Sequence, residues 1–287
     1  MQRILSLSIV SLITLLTINA QQLEHSTLWK IEGKGLEQPS YLFGTIHITC
    51  NVSLDDDVKK ALEETTLIVM ELDMDDPSMT SKMMSGMYLS DGETIKDYVS
   101  EDDYTAVDSL FTNHMGMSIA LMENVKPFFL TSMLYPKMLD CPMQSFELEL
   151  MEVAKEQNES IEGLETIEAQ LKVFEDIPLK DQYADLVRMA KDNLAYDKAN
   201  FAKMLEIYDN EDIVSLLEMM NDESFQTVSG HQEILLENRN KNWISKIEDY
   251  AKEQPTFFGV GAAHLAGENG VISLLRQAGY TVSAVTE

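Results

Sequence analysis

Positive charge is scarce in this chain: 21 Lys and Arg stand against 49 Asp and Glu in 287 residues, a formal charge of −28 at pH 7. A field of that sign repels phosphate backbones and anionic lipid, which argues against a nucleic-acid partner or polybasic membrane attachment. The acids are spread along the chain instead of gathered in a tail, the pattern of a solvated surface. Cysteine is nearly absent: Cys50 and Cys141 are the only two, too few for a disulfide-stapled scaffold. With 7 Pro and 13 Gly, collagen-like and low-complexity architectures are excluded as well. HExxH, paired CxxC, GxSxG, Walker A and GxGxxG do not occur. The zincin, redox, serine-hydrolase and nucleotide-binding readings therefore lack their motifs.

What is present is the composition of a globular protein, 45% apolar and 24% charged, long enough for one large domain or two small ones. Its strongest apolar run stands at the start. Arg3, the stretch Ile4 to Ile18 and Asn19-Ala20 before Gln21-Gln22 read as a secretory signal peptide cut after Ala20. The run is short for a membrane-spanning helix and lacks a basic flank behind it. The expectation is a secreted or periplasmic protein, residues 21–287, with no membrane anchor once the signal is removed. In such an oxidising compartment Cys50 and Cys141 are either bridged or buried as two small apolar side chains.

From Thr27 two short β-branched and aromatic runs, TLWKIEG and YLFGTIHI, flank a Gln-Pro-Ser connection as in a β-hairpin. Ser53 to Asp56 has the capping-box pattern and predicts a helix to about Glu64, with Asp55, Asp56 and Asp57 favoured by the helix dipole. TLIVMELD then reads as a buried strand. Residues 77–157 are Met-rich with helical spacing and a second capping box at Ser100 to Asp103. SIEGLE reads as a strand ending at Glu165, and a long helical region covers 166–253. The chain closes with the strand TFFGVG, the helix NGVISLLRQAG and the strand YTVSAVT. Strands at both ends around a large helical insertion predict a single α/β domain with a mixed sheet.

The two ends resemble each other. LFGTIH, a helix and TLIVMEL parallel FFGVGAAH, a helix and YTVSAV, so a strand–GxxH–helix–strand unit occurs twice, with Gly44/His47 and Gly261/His264 in matching places. One GxxH carries no information; two, each ending an apolar strand, in a chain with 5 His, point to a site. Ligands of open α/β sheets gather at the carboxyl ends of strands, and a glycine there lets backbone approach a ligand or its twin unit closely. Imidazole is a common ligand for catalytic divalent ions and a base near neutral pH. Glu71, ending TLIVMEL, is the nearest carboxylate in topology. Two histidines and a carboxylate leave open coordination positions for water and substrate. Glu165 is a further carboxylate at the same edge, and Arg239 is either a ligand for substrate carboxylate or oxyanion or a surface ion-pair partner. His25, His114 and His231 have no partner pattern.

YLFGTIHI, VMELD, IEGLETIEAQ, LLENRNKNW and FFGVGAAHLAGENGVISLLRQAGYTV occur in that order over residues 27–285. On these segments the chain resembles the TraB/GumN family, which includes the TIKI proteases. The resemblance implies a mixed α/β fold similar to erythromycin-esterase and ChaN-like proteins. For TIKI members it implies a metal-dependent peptidase acting on a secreted signalling protein. By position, His47 and His264 are the paired GxxH histidines and Glu71 the partner carboxylate, with Glu165 and Arg239 as polar residues of the family motifs. The absence of an anchor and the acidic body are more similar to the GumN branch.

The leading expectation is a secreted or periplasmic hydrolase acting on a peptide or protein. In it His47, His264 and Glu71 hold a divalent transition metal (Zn, Mn, Co or Fe) that activates water. A second reading keeps the fold without metal, as an esterase-like hydrolase in which His47 or His264 is a general base oriented by Glu71. A third is a non-enzymatic binder of haem or peptide, drawing on the 18 Met.

Overall fold

Six segments dense in β-branched and aromatic residues pair into one sheet: β1 (Leu28–Glu32), β2 (Ser40–Thr45), β3 (Leu67–Leu72), β4 (Ser160–Glu165), β5 (Thr256–Gly261) and β6 (Thr281–Ala284). The computed structural model describes residues 23–90 and 92–286; the expected signal segment and its expected cleavage point lie outside them. Strand order across the sheet is β4-β3-β5-β2-β1-β6. The four strands β4, β3, β5 and β2 are mutually parallel, while β1 and β6 add antiparallel pairs at one edge. β2 and β3 are buried at every position, as expected for parallel strands covered on both faces.

The helices are α1 (Asp56–Glu63), α2 (Met79–Ser85), α3 (Glu101–Met115), α4 (Pro127–Leu134), α5 (Phe146–Gln157), α6 (Ile167–Glu175), α7 (Leu179–Lys191), α8 (Ala195–Asp209), α9 (Ile213–Met219), α10 (Gln226–Ser229), α11 (Asn238–Glu253) and α12 (Val271–Gln277). Val58 and Leu62 of α1, Trp243 and Ile247 of α11, and Ile272 and Leu275 of α12 join Trp29, Leu42, Ile68, Phe257 and Phe258 in the sheet core. Val107 and Phe111 of α3, Leu130 and Leu134 of α4, and Tyr183 and Leu186 of α7 form a second core. Among the described residues no helix is long and apolar enough to cross a membrane.

Two local expectations need correction. Helix α1 starts at Asp56 with Asp55 as its N-cap and without a side-chain cap. Ser53 is drawn out of the expected box because its N–H is held by Asn51 Oδ1 at 3.0 Å, a local turn that competes with helix initiation. The acids Asp56 and Asp57 still occupy the first helical turn. At α3 only half of the expected box forms: Ser100 Oγ accepts the Asp103 N–H at 3.2 Å, while the Asp103 carboxylate accepts from the Ser100 hydroxyl at 2.8 Å and not from its backbone N–H.

The two GxxH units interleave instead of lying side by side, since β5 of the second unit inserts between β2 and β3 of the first. Their registers are also offset by one residue. Thr45, not Gly44, stands opposite Gly261, so the motifs are not strictly equivalent. The two glycines accordingly do different work. A Cβ on Gly44 would lie 2.8 Å from Leu265 Cδ1 and 3.1 Å from the Ala262 backbone, so this glycine lets the twin unit pack closely. The Gly44 carbonyl also accepts the buried Tyr208 hydroxyl of α8 at 2.8 Å.

Candidate active site

The parallel strands β4, β3, β5 and β2 end on one side of the sheet, and each delivers a polar side chain there. Glu165 is the last residue of β4 and Glu71 the penultimate residue of β3. His264 sits in the 3₁₀ turn Ala262–His264 that follows β5, and His47 lies two residues past β2. Read across the sheet, the order is Glu165, Glu71, His264, His47. Helix α11 crosses above them with Arg239, Asn240 and Trp243. A π-helical stretch, Glu233–Glu237, leads into it, an irregularity often found beside functional residues.

Arg239 is the hub, with its side chain 11% exposed. Nε donates to Glu165 at 3.1 Å. Nη1 donates to the Leu235 carbonyl at 3.0 Å and to His264 Nε2 at 3.1 Å. Nη2 donates to Glu71 Oε2 at 2.5 Å and Glu165 Oε1 at 2.6 Å. All five guanidinium donors are therefore used. All of these donors go to groups of the protein, so none is directed at a substrate carboxylate or oxyanion, the first role expected of Arg239. Nor is it a surface ion pair. Glu165 is similarly occupied: besides Arg239 it accepts from Gln170 Nε2 at 3.2 Å and Trp243 Nε1 at 3.3 Å.

Glu71 holds one oxygen for Arg239 and Gln170 and turns Oε1 toward the Gly261 N–H at 2.9 Å. Burial pushes its pKa up, but the Arg239 guanidinium, with His47 and the Gly261 hydrogen bond, holds it well below the usual carboxylate range. His264 Nε2 lies 3.7 Å from that same Oε1. His264 Nδ1 donates to Asn240 Oδ1 at 2.6 Å; the Asn240 amide is itself oriented by its donation to the Asn269 carbonyl at 2.9 Å. This network assigns the proton to Nδ1 and leaves Nε2 as a lone pair. Burial, then the Arg239 and His47 charges, lower His264 to about 3, so the ring is neutral.

His47 is at the mouth, its side chain 64% exposed. Its Nδ1 meets Glu147 Oε1 at 2.7 Å. Partial withdrawal from water lowers its pKa less than the Glu147 hydrogen bond and charge raise it, so it stands above an ordinary histidine. Glu147 itself is lowered to about 2, its burial outweighed by His47 and Ser145. The centre of the site is marked by Gly261. A Cβ there would lie 3.3 Å from Glu71 Oε1, 3.6 Å from His264 Cδ2 and 3.7 Å from His47 Nε2. The absent side chain thus leaves the space on which the three groups converge.

His47 has Nδ1 tied to Glu147 and Nε2 turned toward this space, the arrangement that prepares imidazole as a metal ligand; His264 has Nδ1 tied to Asn240, while its Nε2 accepts from Arg239 and its Cδ2 edge faces the space. The donor set of two imidazoles and one carboxylate fits a divalent transition metal. Among the described residues no three His, Cys, Asp or Glu side chains stand close enough to hold an ion as they are placed. Glu71 and His264 are the pair already near one another, and His47 is the outlying member.

Glu147, Asn240, Gln170 and Trp243 were not singled out from sequence. Asn240 follows Arg239, and Gln170 lies within IEGLETIEAQ, so both sat inside noted segments. Glu147 is 100 residues from His47 and carries no local signal. Cys50 and Cys141 are joined in a disulfide.

The profile of the TraB/PrgY/gumN family matches residues 27–284. The chain belongs to the TraB/PrgY/gumN family. Among curated relatives, Metalloprotease TIKI1 of Homo sapiens is 24% identical, covering 92% of this chain and 63% of the relative. Metalloprotease TIKI2 of Xenopus tropicalis is 22% identical, covering 90% of this chain and 59% of the relative. Metalloprotease TIKI2 of Danio rerio is 28% identical over 111 residues, 38% of this chain and 20% of the relative. Against TIKI1 of Homo sapiens and TIKI2 of Xenopus tropicalis, this TraB/PrgY/gumN chain spans about three-fifths of the relative's length. No solved structure matches it significantly.

Proposed function

We propose that this protein is a metal-dependent hydrolase acting on peptide bonds outside the cytoplasm, in which His47, His264 and Glu71 hold one divalent ion. The observation that carries the reading is the convergence of Glu71 Oε1, His264 and His47 Nε2 on the space above Gly261. The metalloprotease names of the TIKI relatives agree with it. A divalent ion held there supplies a Lewis acid for a carbonyl and brings the pKa of bound water toward neutrality.

The chain's own residues supply the rest. Arg239 fixes the Glu71 carboxylate as an anion with one oxygen turned to the site, and Glu165 balances the charge that Arg239 brings into the buried cluster. Asn240 fixes the His264 tautomer. Glu165 and Arg239 have no free donor or acceptor for substrate, so both are positioning residues.

A second reading has its own observation. His47 with a carboxylate on Nδ1 and an exposed ring has the layout of a general base and its orienting partner, with Glu147 rather than Glu71 as the partner. Its raised pKa bears equally on both readings, because a general base and a metal ligand each need the ring unprotonated. Hydrolysis of a mixed peptide library before and after chelation, with restoration by Mn²⁺, Co²⁺ or Zn²⁺, decides between the two. Activity lost with chelator and restored by one of these ions supports the metal reading. Activity indifferent to chelator supports His47 as base.

A further inference from the structure

His264 and Glu71 are held by their own strands and by α11, whereas His47 sits on an exposed stretch past β2 and is held from elsewhere. Beyond the packing of Ile46 and Val52 on the core, its hydrogen bonds to other parts of the chain and its crosslink run to the segment 141–147. Glu147 Oε1 accepts from Thr45 Oγ1 at 3.0 Å and meets His47 Nδ1 at 2.7 Å, while Ser145 Oγ donates to Glu147 Oε2 at 2.6 Å. Thr49 and Gln144 exchange both backbone hydrogen bonds, at 3.0 and 2.8 Å. The Val52 N–H is held by Gln144 Oε1 at 3.2 Å, and the Cys50–Cys141 bond closes the far end.

The anchoring segment is itself fixed to the core. Phe146, next to Glu147 at the start of α5, packs edge-on against Phe43 of β2 with ring centres 5.6 Å apart. One turn on, Leu150 fills the space over Gly259, where a Cβ would come within 2.9 Å of its Cδ1. Glu147 therefore stands on a rigid element and His47 on a tethered one. A carboxylate on Nδ1 fixes the ring plane and directs Nε2 toward the site, and losing such a partner typically reduces metal affinity 10–100-fold.

We propose that Glu147 is the positioning residue for His47 and that the Cys50–Cys141 crosslink, with the Thr49–Gln144 backbone pair, holds the His47 half of the site in place. The proposal rests on the metal reading above only for its consequence on metal affinity. Loss of either tie leaves the Glu71–His264 half intact and releases the His47 half.

The test is Co²⁺ titration of the metal-free wild type, Glu147→Ala, Glu147→Gln and the Cys50→Ser/Cys141→Ser pair, read by cobalt absorption, with circular dichroism checking that each is folded. Hydrogen exchange of residues 46–52 is followed in the same metal-free proteins. The expected result is a 10–100-fold weaker Co²⁺ affinity for Glu147→Ala, part of it recovered in Glu147→Gln, which keeps an acceptor oxygen. A comparable loss is expected for the serine pair, with faster exchange at 46–52. Folded variants that bind Co²⁺ as the wild type does would overturn the proposal. If the wild type itself binds no Co²⁺, the metal reading fails, and exchange alone judges the clamp: faster in the variants supports it, unchanged exchange overturns it.

Discussion

Arg239 and Glu71 meet with Nη2 2.5 Å from Oε2, in a buried site where Glu71 keeps its other oxygen on the Gly261 N–H. The same guanidinium binds Glu165 through two of its nitrogens. One cation thus serves two buried carboxylates and the neutral His264. Removing it leaves both acids without their counter-ion, the situation in which a broken buried pair costs about 3–5 kcal/mol. Arg239→Ala is therefore expected to lose about that much stability in chemical denaturation. Arg239→Lys, with a point charge in place of the planar fork, should lose less but still measurably. A variant as stable as the wild type would show that the cluster is not the structural hub of the site.

The two motif glycines predict opposite phenotypes. Gly44→Ala places a methyl 2.8 Å from Leu265 Cδ1 and 3.0 Å from Ala262 Cβ, an overpacked contact worth about 1–3 kcal/mol. Gly261→Ala meets only site groups, the nearest being Glu71 Oε1 at 3.3 Å. It should lower metal affinity with little change in melting temperature. Thermal melts and metal titration of both variants read the two effects separately; equal loss of stability in both would contradict the division of roles.

Much of this fold was legible in the chain because its strands announce themselves. YLFGTIHI, TLIVMELD and TFFGVGAAHL are continuous β-branched and aromatic runs, and full burial between helix layers requires that pattern. The GxxH pairs placed His47 and His264 at strand ends, and the end of TLIVMEL placed Glu71 beside them. Three things were not legible. Insertion of β5 between β2 and β3 is a tertiary pairing choice without a local code. The saturation of Arg239 depends on four acceptor groups brought from Glu71, Glu165, Leu235 and His264, of which only Leu235 is near in sequence. Glu147 reaches His47 across 100 residues, through a helical insertion whose packing no spacing rule describes.

Acid stability of the chelator-treated protein should carry the signature of His264. Its pKa in the folded state is about 3 against 6.5 unperturbed. Below pH 6.5 the unfolded chain takes up a proton that the folded ring refuses, so stability falls as pH drops, by up to about 1.4 kcal/mol per pH unit. Glu71, depressed in the folded state, adds stability present above its unfolded value and lost as pH falls below it. His47 has the opposite sign: being raised, it contributes fully below pH 6.5 and loses that contribution as pH rises through its folded value. Because the overall charge of −28 also relaxes on acidification, the comparison to make is wild type minus His264→Gln. That difference should shrink steadily from pH 6.5 to 4.5; a constant difference would contradict a neutral, buried His264.

The Cys50–Cys141 bond spans 91 residues, most of the helical insertion. Closing a loop of that length in the unfolded chain corresponds to about 4–5 kcal/mol in the chain-entropy account. Cys50→Ser/Cys141→Ser should accordingly denature at markedly lower urea concentration, and dithiol treatment of the wild type should reproduce the shift. An unchanged midpoint would mean that the second core alone holds the insertion.

The most direct test of the central claim is the metal content of the purified protein and of a His47→Ala/His264→Ala variant, by elemental analysis after equilibration with Mn²⁺, Co²⁺ and Zn²⁺ and removal of free ion. One equivalent of a transition metal in the wild type and none in the folded variant is the predicted result, with Glu71→Gln intermediate. No bound metal in the wild type, or the same content in both proteins, would contradict a His47–His264–Glu71 metal site.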